Sequence, residues 1–338
     1  MSKGSRHILF LALLTLVLVL VNLFFGSVRI PARETLSILL GHEASKASWA
    51  FIIWQSRVPQ AIVALLTGAA LSVSGLMLQT AFNNPLAGPD ILGINAGAGL
   101  GVAIVLLAFG GVIPAGSFLV SGTLAIMGAA FVGAIAVTAL ILLFSTLTSS
   151  RVMLLIIGIM ISYIVSSLIS LLNFFSTAEG VHSYIMWGMG NFSSVSVERL
   201  PLFVIATLIG LAIAFCLVKP LNALLLGTHY AESLGINVRR TRLLLLLSTG
   251  LLASIATAYC GPISFIGLAV PHIARMLLGT NNHRPLMPVT LLCGSCIALL
   301  CNLICTLPGG GRMLPLNAIT PIIGAPVVIF VILKMRRS

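Results

Sequence analysis

Proton transfer, metal capture and ion coupling rest most often on carboxylates, and this chain has six: Glu34, Glu43, Asp90, Glu179, Glu198 and Glu232. All fall in loops or at the ends of apolar runs. None is therefore placed to serve as the intramembrane acid of a proton- or sodium-coupled carrier, or as the base of a membrane hydrolase. No Gly-x-x-x-x-Gly-Lys-Ser/Thr segment occurs, which excludes ATP hydrolysis by a phosphate loop in this chain. Cys293-x-x-Cys296 and Cys301-x-x-x-Cys305 have metal-like spacings. At about 100° per residue, however, the four thiols spread over about half a helix circumference, so they read as small packing residues, as do Cys216 and Cys260. His272 and Arg275 lie inside a Pro-interrupted apolar run, where an ionisable group is read as functional unless it snorkels to the membrane surface, as Arg275 near the inner end can.

The elements that carry these residues are apolar runs of membrane-spanning length. With 59% hydrophobic and 7% charged residues, the chain has too little polar surface to cover a water-soluble body, and no stretch is long and polar enough to form a separate soluble domain. A single transmembrane domain over residues 1–338 is expected. Ten spans are predicted: Ile8–Phe25, Val58–Ala81, Ile91–Phe109, Phe118–Phe144, Val152–Phe174, Leu200–Val218, Leu243–Cys260, the short Ile263–Leu278, Leu286–Leu307 and Ala318–Leu333. Met1–His7 has the charge order of a signal peptide, but the apolar run after it is too long and lacks a small-x-small cleavage site, so it reads as the first span.

A formal charge of +12 points to nucleic acid in a soluble protein, but here Lys and Arg sit between apolar runs and act as topology signals; no nucleic-acid partner is expected. Lys3 and Arg6 at one end, with Lys334, Arg336 and Arg337 at the other, put both termini in the cytoplasm and require an even number of spans. Arg151, the stretch 219–242 and Arg284 then recur on the cytoplasmic side every two spans. The first outer segment, with Arg29, Arg33, Lys46 and Arg57, runs against the rule. Within 219–242, the longest inner stretch, His229–Asn237 predicts a short helix and a Gly turn. Its Ala231, Leu234 and Ile236 either lie against another protein or belong to a solvated loop. On the opposite side, Tyr184 and Trp187 read as an interfacial anchor. Gly68-Ala69-Ala70, Gly75, Gly97-Ala98-Gly99, Gly101, Gly128 and Gly133 read as surfaces for close helix packing or as pathway lining.

Several segments taken together resemble the permease subunits of ABC importers for iron-siderophores, haem and cobalamin. They are Arg57-Val58-Pro59, Gly68-Ala69-Ala70-Leu71, Ser74-Gly75 with Gln79, and Asn84-Pro85-Leu86-Ala87-Gly88-Pro89-Asp90-Ile91-Leu92-Gly93. The second half agrees in order, through Ala231-Glu232-Ser233-Leu234-Gly235, the run Gly261–Arg275, His283-Arg284 and Ile323-Gly324-Ala325-Pro326. The resemblance implies an all-α type II ABC importer permease-like bundle of about ten transmembrane helices per subunit, in the bacterial inner (cytoplasmic) membrane. It further implies a homodimer, two cytoplasmic ABC ATPase subunits that use ATP and Mg, and a periplasmic or lipid-anchored substrate-binding protein. This chain is expected to hold no cofactor, no metal and no catalytic site.

Carried over by residue, the resemblance assigns ATPase coupling to Ala231, Glu232, Ser233, Leu234 and Gly235. It assigns binding-protein docking to Arg57, the first arginine of an Arg-x-Pro-Arg segment whose second arginine is replaced here by Gln60. Arg312, in the outer loop Pro308–Leu314, is added from topology. Gln79, Asn83, Asn84 and Pro85 are candidates to line the translocation pathway. Near the last span the family usually reads Glu-Leu-Pro-x-Gly, whereas this chain reads Met313-Leu314-Pro315-Leu316-Asn317. The expected cargo is an iron chelate (siderophore or haem) or cobalamin, moved by alternating access; the rival reading is a stand-alone secondary transporter of a small solute.

Overall fold

The computed structural model describes residues 3–115, 118–148, 150–307 and 313–335; the expectations for Arg312, Arg336 and Arg337 lie outside them. In chain order the helices are α1 (Lys3–Phe24), α2 (Ala32–Leu39), α3 (Ala47–Ile52), α4 (Val58–Phe82), α5 (Ile94–Ala103), α6 (Thr123–Leu147), α7 (Arg151–Phe175) and α8 (Ala178–Gly188). They continue as α9 (Leu200–Cys216), α10 (Val218–Leu225), α11 (Thr228–Ser233), α12 (Val238–Cys260), α13 (Ile266–Leu278), α14 (His283–Thr306) and α15 (Leu316–Met335). Two π-helical turns, Ile53–Arg57 and Ile104–Ala108, join α3 to α4 and lengthen α5.

Among the described residues six helices are long and apolar enough to cross a bilayer, and seven if α9 and α10, bent by 48°, are counted as one span; three shorter apolar helices bring the apolar helical segments to ten. The chain is a multi-pass, all-α bundle apart from one hairpin, β1 (Val112–Ala115) against β2 (Phe118–Ser121), paired antiparallel with Val112 opposite Ser121. This hairpin corrects the fourth predicted span, which begins at Thr123 and not at Phe118. A short apolar run reads alike as strand or helix, and Gly122, at φ +66°, supplies the turn between them.

Helix α4 is the central pillar, buried along nearly its whole length against α9, α12, α13 and α14. Lipid gives no hydrophobic drive between helices, so close van der Waals contact must hold them, and that requires small residues. A Cβ on Gly68 would strike the carbonyl of Gly294 in α14, and one on Gly75 would strike that of Gly267 in α13. Gly97 and Gly133 bring α5 onto α6 in the same way. Gly128, by contrast, has nothing within 4 Å of where its Cβ would be.

Helix α13, of 13 residues, is about 20 Å long and cannot cross a hydrocarbon core of about 30 Å. It begins inside the bundle, where Pro89 of the irregular segment 83–93 closes on Gly267. Ala87, Gly88 and Pro89 are buried there. Non-helical backbone at membrane depth is tolerated only where protein surrounds it or water reaches it. Arg242 Nη1 lies 3.5 Å from Thr148 O, and Asn222 Nδ2 donates to Asn282 Oδ1 at 3.0 Å. The turn before α7, the stretch 219–242 and the turn before α14 therefore gather at one end of the bundle, the grouping that the charge pattern requires.

Candidate functional site

Asn83 ends α4 in the left-handed region at φ +47°, a conformation Asn tolerates better than most residues. There its N–H donates to Thr80 O at 3.2 Å, while the Asn84 N–H donates to Gln79 O at 3.1 Å. The Asn84 side chain then accepts from Leu86 N at 2.9 Å, which sends the chain back into the bundle. Helix α13 meets this turn with three bonds. Arg275 Nη1 donates to Gln79 Oε1 at 2.6 Å, Gln79 Nε2 donates to Leu268 O at 3.1 Å, and His272 Nε2 lies 2.7 Å from Pro85 O. A carbonyl only accepts, so Nε2 of His272 carries the proton.

Gln79, Asn83, Asn84 and Pro85 are thus brought together with His272, Arg275 and His283 around a cleft of about 600 Å³. Gln79 is 3% exposed and both ends of its amide are engaged, so it bolts two walls of the cleft together as well as lining it. Arg275 does not snorkel outward. Its partner is a neutral amide, Gln79. The cleft is cationic and rich in donors, a surface that can hold and pass a polar solute. Among the described residues no group of three or more His, Cys, Asp or Glu could hold a metal ion.

The expected coupling segment is at the same end. Helix α11 closes with Gly235 at φ +78°, whose N–H donates to Glu232 O at 2.9 Å while the Ile236 N–H returns to Ala231 O at 3.0 Å. Of the five residues assigned to coupling, Ala231 is fully buried on Ala223 and Leu224 of α10, whereas Glu232, Ser233, Leu234 and Gly235 are exposed. Ala231 and Ile236 therefore face their own chain, and the apolar side chain left for another surface is Leu234, 56% exposed, with Tyr230 beside it at 53%.

At the opposite end the docking role of Arg57 needs correction. Its guanidinium, on the π-helical turn, is 5% exposed and donates to Leu23 O at 2.8 Å, Phe24 O at 2.9 Å and Val28 O at 2.5 Å. Two of these carbonyls belong to the last turn of α1, which has no helical donors left for them, and a cation there also meets the negative end of the helix dipole. Arg57 is a cap and is not offered to a partner. Gln60 is likewise turned inward and donates to Asn302 Oδ1 at 2.9 Å, and Asn302 donates to Asn22 Oδ1 at 2.8 Å, so that α1, α4 and α14 are tied together. The cations this segment exposes are Arg29, Arg33 and Lys46. Its loop is pinned by Ser45, whose hydroxyl and N–H donate to Glu34 at 2.6 and 3.2 Å and hold that carboxyl below its ordinary range.

Asn317 stands where the resembled family usually has Gly. It donates to Gly188 O at 2.9 Å and Pro262 O at 2.5 Å and accepts from Ser264 N at 3.2 Å, stitching the end of α8 and the loop before α13 to the start of α15. Tyr184 and Trp187 stack at 6.2 Å on α8, with the Tyr184 hydroxyl beside Gly99, so Tyr184 packs on the bundle as well as marking its rim. Three residues of the cleft region escaped the sequence reading: Thr80, Asn222 and the role of His283. Each is a lone polar residue on its helix, Thr80 near the end of α4, Asn222 within α10 and His283 at the start of α14, and a lone residue has no spacing signature.

Residues 14–334 match the model of the FecCD transport family. The vitamin B12 import system permease protein BtuC of Klebsiella pneumoniae subsp. pneumoniae is 36% identical, over 99% of this chain and 96% of that protein. The permease of the same description from Salmonella typhi is 34% identical, over 99% and 97%. A solved structure described as an inward-facing conformation of a metal-chelate type ABC transporter superposes with a TM-score of 0.84 at 29% identity, covering 98% of this chain and 99% of that one. The chain belongs to the FecCD transport family and is a permease subunit of an ABC importer.

Proposed function

We propose that this permease forms, as a homodimer, the membrane path for an iron chelate (siderophore or haem) or cobalamin, moved across the bacterial inner membrane by alternating access. A periplasmic or lipid-anchored binding protein delivers the solute. Two cytoplasmic ATPase subunits, which bind the ATP and Mg, drive the cycle; both termini of the permease are on their side. This chain binds no cofactor and catalyses no reaction. The cargo class follows the relatives, one named for vitamin B12 and one for a metal chelate.

The observation that carries the reading is that the cleft at Gln79–Pro85 and the exposed face Glu232–Gly235 lie at one end of the bundle. Closure of the ATPases, gripping α11, then moves the helices that wall the cleft as rigid bodies. With Arg57 engaged in capping, Arg29 and Arg33 are the rim cations for an acidic binding protein; such charges act mainly on encounter rate and salt dependence. The test is uptake by proteoliposomes that hold the complete importer. Accumulation is expected with ATP and binding protein and not with an imposed proton or sodium gradient alone. Gradient-driven uptake by the permease without ATPase would replace this reading with a secondary transporter.

A further inference from the structure

Coupling segment and cleft are joined by a run of contacts: apolar packing of α11 on α10, side-chain hydrogen bonds from α10 through α14 to α4, and the chain itself from Thr80 to Gln79. Ala231 seats α11 on Ala223 and Leu224 of α10. The neighbouring Asn222 turns its Oδ1 toward α14, where it accepts from the His283 backbone N at 2.8 Å and lies 2.9 Å from His283 Nδ1. Its Nδ2 donates to Asn282 Oδ1, which caps α14 by accepting from Arg284 N, both at 3.0 Å. The His283 ring, 1% exposed, spans the gap to α4, where Nε2 lies 2.8 Å from Thr80 Oγ1. Thr80 adjoins Gln79, the residue that Arg275 and Leu268 bolt to α13.

An amide oxygen only accepts, so Nδ1 of His283 carries the proton of its contact with Asn222. On the other side of the ring Nε2 lies 2.8 Å from Thr80 Oγ1, whose single proton is shared between Nε2 and Leu76 O at 3.0 Å. A buried planar ring held at both nitrogens cannot follow a shift of α10 without either carrying α4 along or leaving a buried polar atom unpaired, which is disfavoured. We propose that Asn222, His283 and Thr80 are positioning residues, forming the rigid link by which displacement of α11 reaches the Gln79–Arg275 bolt at the cleft. The inference rests on the coupling reading above and adds the route through the permease.

The experiment uses the complete importer in proteoliposomes and reads ATP hydrolysed per solute imported, a ratio that a merely destabilised complex does not move. Asn222→Ala, at a half-buried site that tolerates truncation, and Thr80→Val, which keeps the shape of the side chain, are each expected to raise the ratio at least fivefold at normal assembly. Thr80→Ser, which keeps the hydroxyl, is expected to restore it. The double variant should be no worse than the poorer single one, since both break one link. If Gly235→Arg uncouples while Asn222→Ala keeps the parental ratio, the link is wrong and the coupling reading stands. If Gly235→Arg is also fully coupled, the coupling reading itself falls. Fully additive effects of Asn222→Ala and Thr80→Val would overturn the single route.

Discussion

Replacing Arg57 by Gln separates the two roles that an arginine at this position can have. The guanidinium makes three bonds, to Leu23 O, Phe24 O and Val28 O, and is 5% exposed. Hydrogen bonds to a charged group contribute about 1.5–3 kcal/mol each, but three from one group are not additive. Val28 is also exposed, so its carbonyl can turn to water once released. The expected loss is about 2–4 kcal/mol, dominated by the orphaned end of α1, and corresponds to a fall of about 3–6 °C in the midpoint of thermal unfolding in detergent. Arg57→Lys keeps the charge at the dipole but loses the fork that reaches three carbonyls, so it should recover less than half of the loss. The second assay is the association rate of the binding protein with the complex as a function of salt. A cap predicts an unchanged rate and salt slope for Arg57→Gln, whereas a rim charge predicts a slower rate, a shallower slope and an unchanged midpoint. The second pattern would refute the capping argument.

Gln79→Leu leaves Arg275 without its partner and should cost about 1–3 kcal/mol of stability as well as transport. Asn84→Ala removes only the bond to Leu86 N and should lower transport with a stability change of about 0.5–1.5 kcal/mol; full uptake in both variants would take these residues off the path. Gly75→Leu should block the closure of α4 on α13 and yield no stable complex in size-exclusion chromatography, while Gly128→Ala, with nothing within 4 Å, should behave as the parent. If the two behave alike, the packing account of the small residues is wrong. A Cβ at Gly235 meets no atom within 4 Å, the position is exposed, and the left-handed strain is about 1–2 kcal/mol, so Gly235→Arg should fold and assemble but hydrolyse ATP without import. Normal coupled turnover would remove α11 from the drive.

What could be read from residues alone follows a physical line. Apolar length and Lys/Arg placement are local quantities, and they gave about ten apolar helical segments and the gathering of Arg151, 219–242 and Arg284 at one end. Gly68 and Gly75 were legible as packing surfaces, but their partners Gly294 and Gly267 lie roughly two hundred residues further on, beyond any periodicity. His272 and Arg275 stood out as ionisable groups in an apolar run; that Arg275 would bond Gln79 is a long-range fact with no local signal. Arg57 was misread for the same reason. Charge pattern tells on which side of the membrane an arginine lies, not that the last carbonyls of a helix more than thirty residues upstream fold over it. The hairpin at Phe118 was lost because alternation and helix period cannot be separated in so short an apolar stretch.

The scarcity of carboxylates also shapes how the bundle can move. Breaking a buried ion pair costs about 3–5 kcal/mol, because it strands a charge. Here most ties across the interior are hydroxyls, amides and carbonyls: Gln60 to Asn302, Ser72 to Thr290, Ser295 to Leu65 and Thr257 to Asn95, with Arg275 to Gln79 a charged donor on a neutral amide. A neutral bond of this kind is worth about 0.5–1.5 kcal/mol net and exchanges readily for another carbonyl or a water. Helices tied by such neutral bonds, and seated on glycine contacts, can slide to a second arrangement at lower cost than helices locked by buried ion pairs. On the reading proposed above, the selection between the two arrangements enters through Glu232–Gly235 on α11, the exposed segment that Ala231 backs on α10.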